Sequence, residues 1–133
     1  MNDHNYKLDT FLYNKIKDIS NIKILEFGVR KGVSTKLFVD LAEKNNGKVT
    51  SVDIDDYSSL INSDKWKFIQ TRDDNYEKVK NELSNDLDVI FLDSFHEAEH
   101  VSKIIYTYYK HLKKGGYFFI DDISWVPYLK NSY

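Results

Sequence analysis

One stretch near the start of the chain, Ile22 to Ser34, limits the fold more than any other. Its first six residues form a short run rich in branched apolar side chains, which is typical of a buried parallel strand. Ser34 is followed by apolar residues at positions 37, 38 and 41, a spacing that predicts a helix. The glycines at positions 28 and 32 therefore lie in a turn from strand to helix. Such a turn lets a ligand approach the backbone closely, and the first helical amides can donate to it.

Length and composition restrict the possible classes of protein. The 133 residues are 41% hydrophobic with a formal net charge of −2, which fits a single domain over residues 1–133 that buries roughly two thirds of its unfolded surface. The absence of cysteine excludes disulfides and thiolate metal sites. Because the charge is nearly balanced and only two residues are arginine, we expect no nucleic-acid partner. No apolar run approaches the ~18 residues of a membrane span, and no signal-peptide pattern opens the chain, so we expect a soluble, cytoplasmic protein.

Strand-like and helix-like segments alternate along the whole chain. The apolar patterns predict helices at 6–19, 34–44, 76–83 and 101–112, and strands at 22–27, 48–54, 66–70, 87–93 and 117–122. Alternation of this kind implies right-handed crossovers, and hence an α/β fold with a Rossmann-like, doubly wound parallel sheet.

Acidic residues close most of the predicted strands. Because ligands bind beyond the carboxyl ends of the strands in such folds, we expect these acids to surround a binding site. Taken singly, each acid has an alternative role in ending a strand or capping a helix. The set is Glu26, Asp53, Asp93, Asp121 and Asp122.

The order of these motifs resembles a known enzyme class. Glu26-x-Gly28-x-x-x-Gly32-x-Ser34, an acid closing the second strand and an acid pair closing the fifth together resemble class I S-adenosylmethionine-dependent methyltransferases, over roughly residues 20–122. Within that class the chain looks most like metal-dependent O-methyltransferases of the catechol and macrolide-sugar kinds. The resemblance implies a strand order of 3-2-1-4-5. A dinucleotide site would instead require a third glycine at Arg30, which argues against NAD.

The resemblance also implies contacts with S-adenosyl-L-methionine. Glu26 would lie near its ammonium group, Ser34 near its carboxylate, and Asp53 at the ribose hydroxyls. Ile54 would pack against the adenine ring, and Asp73 would accept a hydrogen bond from the adenine amino group. With the backbone turn and its flanking residues included, the expected contacts are Glu26, Phe27, Gly28, Gly32, Ser34, Asp53, Ile54, Asp73 and Asp93.

A metal ion and a general base complete the implied site. Asp93, Asp121 and Asp122 offer only hard oxygen ligands, which suit Mg²⁺ or a similar divalent cation. His96 lies where related enzymes place a base, and imidazole accepts protons near neutral pH. The alternatives are a capping or surface role for His96 and a solvated turn for the acid pair. The implied reaction is O-methylation of a hydroxylated small molecule or sugar.

Two other functions remain open. His96-Glu97-Ala98-Glu99-His100 matches H-E-x-x-H, in which two histidines one helical turn apart bind zinc and the glutamate activates water. Against a zinc hydrolase, the motif directly follows a predicted strand end, and the glycine turn would have no role. The chain would alternatively bind S-adenosylmethionine without transferring a methyl group, as a binding module or partner subunit.

The carboxyl end of the chain leaves one structural question. The resembled fold has two more strands after the fifth, whereas only residues 123–133 follow here. The fifth strand would therefore have an exposed edge, which is an aggregation hazard unless it is covered. Three alternatives are that residues 123–133 cover this edge, that a second copy of the chain pairs with it, and that the chain is a C-terminally truncated piece of a longer enzyme.

Overall fold

The computed structural model describes residues 11–93 and 97–120. Its helices are α1 (Tyr13–Ile16), α2 (Val33–Asn45), α3 (Tyr76–Val79) and α4 (Ala98–Tyr108). Its strands are β1 (Lys23–Phe27), β2 (Lys48–Asp53), β3 (Trp66–Gln70), β4 (Leu87–Leu92) and β5 (Leu112–Ile120). Short 3₁₀ turns, Lys80–Glu82 and Tyr109–His111, follow α3 and α4.

The five strands form one parallel sheet in the order β3-β2-β1-β4-β5. Strand β1 lies at its centre, where Ile24 is opposite Val49 on one side and Val89 on the other. Both the predicted doubly wound class and the predicted strand order are confirmed. Because the strands are parallel, their carboxyl ends all meet at one edge of the sheet.

Successive residues of the central strands point into two separate apolar cores, one on each face of the sheet. Ile24, Val89 and Phe91 pack with α1 and α2 on the first face. Leu25 and Ile90, their immediate neighbours along the strands, pack with α3 and α4 on the second. All six residues of β4 are buried, as is typical of a parallel strand covered by helices on both faces.

The largest difference from the sequence prediction concerns the region before β5. The apolar spacing predicts a helix continuing to residue 112, but α4 ends at Tyr108 and β5 already begins at Leu112. Leu112 pairs with Leu87, and the register then shifts so that Val89 pairs with Tyr117. The residues between Leu112 and Tyr117 form a bulge, in which Gly115 has a φ of 84°.

Smaller differences occur elsewhere. Of the helix predicted at 6–19, the structure assigns α1 to Tyr13–Ile16, and residues 6–10 lie outside the described part. Among the helices within 11–93 and 97–120, none has the length and apolar character needed to cross a membrane.

Candidate functional site

A pocket of about 270 Å³ lies at the carboxyl edge of the sheet. Its walls come from the ends of β1, β2 and β4 and from the loops after β1, β2 and β3. The lining includes both arginines of the chain together with four aspartates. The lining residues are Phe27, Gly28, Arg30, Val52, Asp53, Ile54, Asp55, Tyr57, Thr71, Arg72, Asp73 and Asp93.

Gly28 lies where three strands converge on this pocket. Its N–H donates to the Val52 carbonyl of β2 at 2.9 Å, while the Asp93 N–H donates to the Phe27 carbonyl at 2.9 Å. Gly28 has a φ of 94°, and a Cβ atom there would lie 2.0 Å from the backbone oxygen of Asp93. Only glycine fits this position, because any side chain would collide with the backbone.

The loop after Gly28 contains two more residues with positive φ. Gly32 has a φ of 80°, precedes α2, and would bring a Cβ atom to 2.6 Å from a Leu60 methyl group. Arg30 has a φ of 50°, so it adopts a conformation that favours glycine even though it bears a long side chain. Nη1 of Arg30 lies 4.0 Å from Oδ1 of Asp93 inside the pocket.

Asp53 connects the end of β2 to the glycine loop. Its Oδ2 accepts from the Val29 N–H at 2.8 Å, and its Oδ1 accepts from the Asp55 N–H at 3.0 Å. Next to it, Ile54 is 61% exposed although it is a large apolar residue on the pocket wall. The pocket thus presents a carboxylate and an apolar surface side by side.

Glu26 lies beneath the glycine loop and is not among the pocket-lining residues. Its Oε1 accepts from Thr35 at 2.6 Å and Ser51 at 2.7 Å, and its Oε2 accepts from Ser34 at 2.5 Å. Burial raises the pKa of the Glu26 carboxyl to about 7, although the three hydroxyls act in the opposite direction. Glu26 and Ser34 therefore bind each other in this structure, and their contacts with a ligand stay a prediction.

Asp73 follows β3 and lies on the pocket wall, as expected for a ligand contact. Its Oδ1 accepts from Nε2 of His100 on α4 at 2.9 Å, and its carbonyl accepts from the Tyr108 hydroxyl at 2.9 Å. Phe27, another expected contact, is buried with its ring against that of Tyr108, the centroids being 4.7 Å apart. The sequence pattern does not predict this contact between His100 and Asp73.

The predicted metal site is only partly within the described residues. Asp93 is 8% exposed and lines the pocket beside Gly28. The other two predicted ligands, Asp121 and Asp122, and the predicted base His96 lie outside the described residues. Their roles stay predictions.

The zinc-hydrolase alternative is not supported by the helix boundaries. Its motif requires both histidines and the glutamate on one helix, one turn apart. Instead Glu97 is the N-cap of α4, with an extended ψ of 156°, and the helix begins at Ala98. His100 lies in the first turn of α4 and contacts Asp73, so Glu97 and His100 do not both lie within one helix as the zinc-protease motif requires.

Sequence reasoning missed several residues of this region. Thr35 and Ser51 complete the shell around Glu26, and Arg30 and Arg72 supply the positive charge in the pocket. Thr35 directly follows the predicted Ser34, but no pattern in the sequence indicates that Ser51 on β2 faces the same carboxylate. That contact depends on the register of β1 with β2, which places Glu26 opposite Ser51.

Comparison with known proteins assigns this chain to a family. Residues 25–123 match the sequence model of a protein family whose description is "Methyltransferase domain". A search of curated proteins found no match. The region matched by the family model contains the glycine loop, Asp53, Asp73 and Asp93.

Three solved structures share the fold. MycE, a methyltransferase from the mycinamycin biosynthetic pathway in complex with Mg and SAH, has a TM-score of 0.69 and 18% identity, and the match covers 92% of this chain and 32% of MycE. CmcI with Mg and SAM has a TM-score of 0.65 and 19% identity, over 91% of this chain and 55% of CmcI. A putative ribosomal RNA methyltransferase from Plasmodium falciparum has a TM-score of 0.66 and 17% identity, over 98% of this chain and 84% of its own.

The chain thus spans about a third of MycE and about half of CmcI. At these identities the likeness concerns the fold, which agrees with the Rossmann-like class I arrangement observed here. Since the family model covers most of the chain, this protein belongs to the methyltransferase domain family.

Proposed function

We propose that this domain binds S-adenosyl-L-methionine and transfers its methyl group, with the help of Mg²⁺, to an oxygen of a hydroxylated small molecule or sugar. The observation that supports this most directly is the convergence of Gly28, Asp53 and Asp93 on one pocket at the carboxyl edge of the sheet. Family membership supports methyl transfer in general. MycE and CmcI, described with Mg and with SAH or SAM, support the cofactor pair by analogy.

The pocket has the chemistry that an adenosyl ligand requires. Gly28 lies on the pocket wall, and its missing side chain lets the end of β1 pack directly against the Asp93 backbone. The Asp53 carboxylate would accept hydrogen bonds from the two ribose hydroxyls, which are strong because the acceptor is charged. Ile54 would cover one face of the adenine ring, which explains why a large apolar side chain is left exposed there.

The donors near Asp93 suit a hard cation. Asp93 contributes carboxylate oxygens at the pocket wall, and it would hold the ion together with Asp121 and Asp122. A bound divalent ion lowers the pKa of a coordinated hydroxyl group. His96 follows Asp93 by three residues, which is where related enzymes place a base. It would accept the proton that the acceptor hydroxyl loses, because imidazole accepts protons near neutral pH.

The protein must also position the acceptor relative to the cofactor. Methyl transfer from a sulfonium is an in-line displacement, so the rate depends on how well the acceptor oxygen is aimed at the methyl carbon. Because the backbone of Asp93 packs closely against Gly28, an acceptor held at Asp93 would lie next to a cofactor held at Gly28. The sheet itself therefore sets the distance between the two reactants.

Calorimetry with S-adenosylhomocysteine tests the cofactor site. We expect the wild-type chain to bind, and Asp53→Ala to bind at least roughly ten-fold more weakly, since a hydrogen bond to a charged group contributes about 1.5–3 kcal/mol. Asp56→Ala is the matched control, because Asp56 is exposed and is not a lining residue. Absence of binding by the wild type, or equal affinity in Asp53→Ala, would contradict the proposal.

Turnover separates an enzyme from a binding module. Incubation with S-adenosylmethionine, Mg²⁺ and a panel of catechols and sugars should release S-adenosylhomocysteine, and Asp93→Asn should abolish this release. If the cofactor binds but no acceptor is methylated, the non-catalytic alternative is favoured. A magnesium titration that is identical in the wild type and Asp121→Asn would remove the metal from the proposal.

A further inference from the structure

Helix α4 holds the loop after β3 at two points. His100 contacts the side chain of Asp73, and Tyr108 contacts its backbone carbonyl, both at 2.9 Å. The two residues are eight positions apart, close to two helical turns, so they lie on the same face of the helix. One face of α4 therefore fixes both the backbone and the carboxylate of Asp73.

The contact with His100 is sheltered from water. The side chains of Asp73 and His100 are only 13% and 20% exposed, and Tyr108 is fully buried. Hydrogen bonds in such surroundings are stronger and better oriented than those on the open surface. Since Asp73 also lines the pocket, the direction of its carboxylate is set by His100 at the place where a ligand would meet it.

We propose that His100 is a positioning residue that orients Asp73 to select a 6-amino purine over a 6-oxo purine. This inference rests on the proposed function, which places an adenosyl ligand in the pocket. A carboxylate only accepts hydrogen bonds, so it attracts the amino group of adenine and repels the O6 oxygen of hypoxanthine. Without His100 the carboxylate can turn, and the discrimination falls.

A metal-binding role for the same residues is less consistent with their contacts. Oxygen or nitrogen atoms of Asp73, Asp74 and His100 lie within 4.8 Å of one another. However, both oxygens of Asp74 accept from Arg72, at 3.0 and 3.1 Å, and Nε2 of His100 already faces Asp73. These contacts favour hydrogen bonding over ligation, and Zn²⁺ binding is measured as the competing outcome.

The test compares the affinities of S-adenosylhomocysteine and S-inosylhomocysteine by calorimetry. We expect the wild type to bind the adenosyl ligand more tightly than the inosyl ligand. In His100→Ala the ratio of the two affinities should fall roughly five- to ten-fold, the equivalent of one hydrogen bond. The loss should come from weaker adenosyl binding, with inosyl binding almost unchanged. His100→Gln should restore much of the preference, because the glutamine amide can also donate to Asp73.

Tyr108→Phe is the matched control. It removes the other contact between α4 and Asp73, but this contact is to the backbone carbonyl, so both ligands should weaken equally and their ratio should stay the same. Thermal melting of each variant checks that the fold is retained.

Three results would overturn the inference while leaving the proposed function intact. The wild type could bind the adenosyl and inosyl ligands with equal affinity, or His100→Ala could lose the same affinity for both. In the third result, Zn²⁺ binding depends on His100 but the ratio of the two ligand affinities does not. A wild-type chain that binds neither nucleoside would overturn the proposed function and this inference together.

Discussion

The carboxylate of Glu26 and the hydroxyl of Thr35 lie 2.6 Å apart, and neither residue has any contact with solvent. Together with Ser34 and Ser51, Thr35 surrounds an ionisable group placed between the sheet and the start of α2. This buried cluster supports the glycine loop from below. It also makes the stability of the protein depend on pH.

Replacement of Glu26 by glutamine should change that dependence. The folded-state pKa of Glu26 is raised from 4.5 to about 7 by burial, so the folded protein binds more protons than the unfolded chain between these values. The contribution of Glu26 to stability is therefore fully present below about pH 4.5 and is lost as pH rises through 7. Over this range the loss amounts to roughly 3 kcal/mol, from about 1.4 kcal/mol per pKa unit.

Urea unfolding at a series of pH values from 5 to 8 measures this effect. As pH rises, the unfolding free energy of the wild type should fall relative to that of Glu26→Gln. Parallel curves for the two proteins would show that Glu26 keeps its ordinary pKa in the folded state.

Gly28→Ala should destabilise the protein far more than Gly115→Ala. Both glycines have positive φ, at 94° and 84°, so both substitutions strain the backbone by about 1–2 kcal/mol. Only at Gly28 does the added Cβ meet another atom, the Asp93 oxygen at 2.0 Å, whereas nothing lies within 4 Å at Gly115. Chemical denaturation should give a loss of at least roughly 3 kcal/mol for Gly28→Ala. Similar losses at the two positions would contradict the close contact between Gly28 and Asp93.

Ile54→Ser should weaken binding of S-adenosylhomocysteine without lowering thermal stability. Its side chain is already largely exposed, so the folded protein loses little, but a bound adenine would lose an apolar contact. We expect an affinity loss of roughly five-fold, or about 1 kcal/mol. Tyr106→Ser is the control, since Tyr106 is an exposed aromatic residue outside the pocket lining. Equal binding by both variants would remove Ile54 from the ligand site.

At the opposite edge of the sheet, Asp88→Ala should be much more harmful than Asp86→Ala. Asp88 is 4% exposed, accepts from the Lys23 N–H at 2.8 Å and pairs with the Lys113 ammonium group. Its removal leaves a backbone donor without this acceptor, at a cost of about 1–3 kcal/mol. Asp86 forms an exposed pair with Nζ of Lys23, and such pairs contribute little to stability. Equal unfolding midpoints for the two variants would contradict this distinction.

Several features of the protein were predictable from the sequence. Short branched apolar runs such as the one ending at Phe27 indicate parallel strands, because both of their faces must be buried between helices. Gly28, Gly32 and Asp53 are signals of similar strength. Glycines are needed where a ligand approaches the backbone closely, and an acid at a strand end indicates a polar site. Both requirements involve only residues that are close together in the sequence. The class of fold and the position of the pocket follow from these signals.

Other features were decided only by the tertiary structure. The start of β5 at Leu112 depends on its pairing with Leu87, and the shell around Glu26 depends on the register that brings Ser51 opposite it. The contact between His100 and Asp73 joins residues 27 positions apart. Local sequence patterns report which face of an element is apolar, but they contain no information about which polar groups from distant elements meet across that face. Those meetings are determined by packing and strand register, which arise only when the whole chain folds.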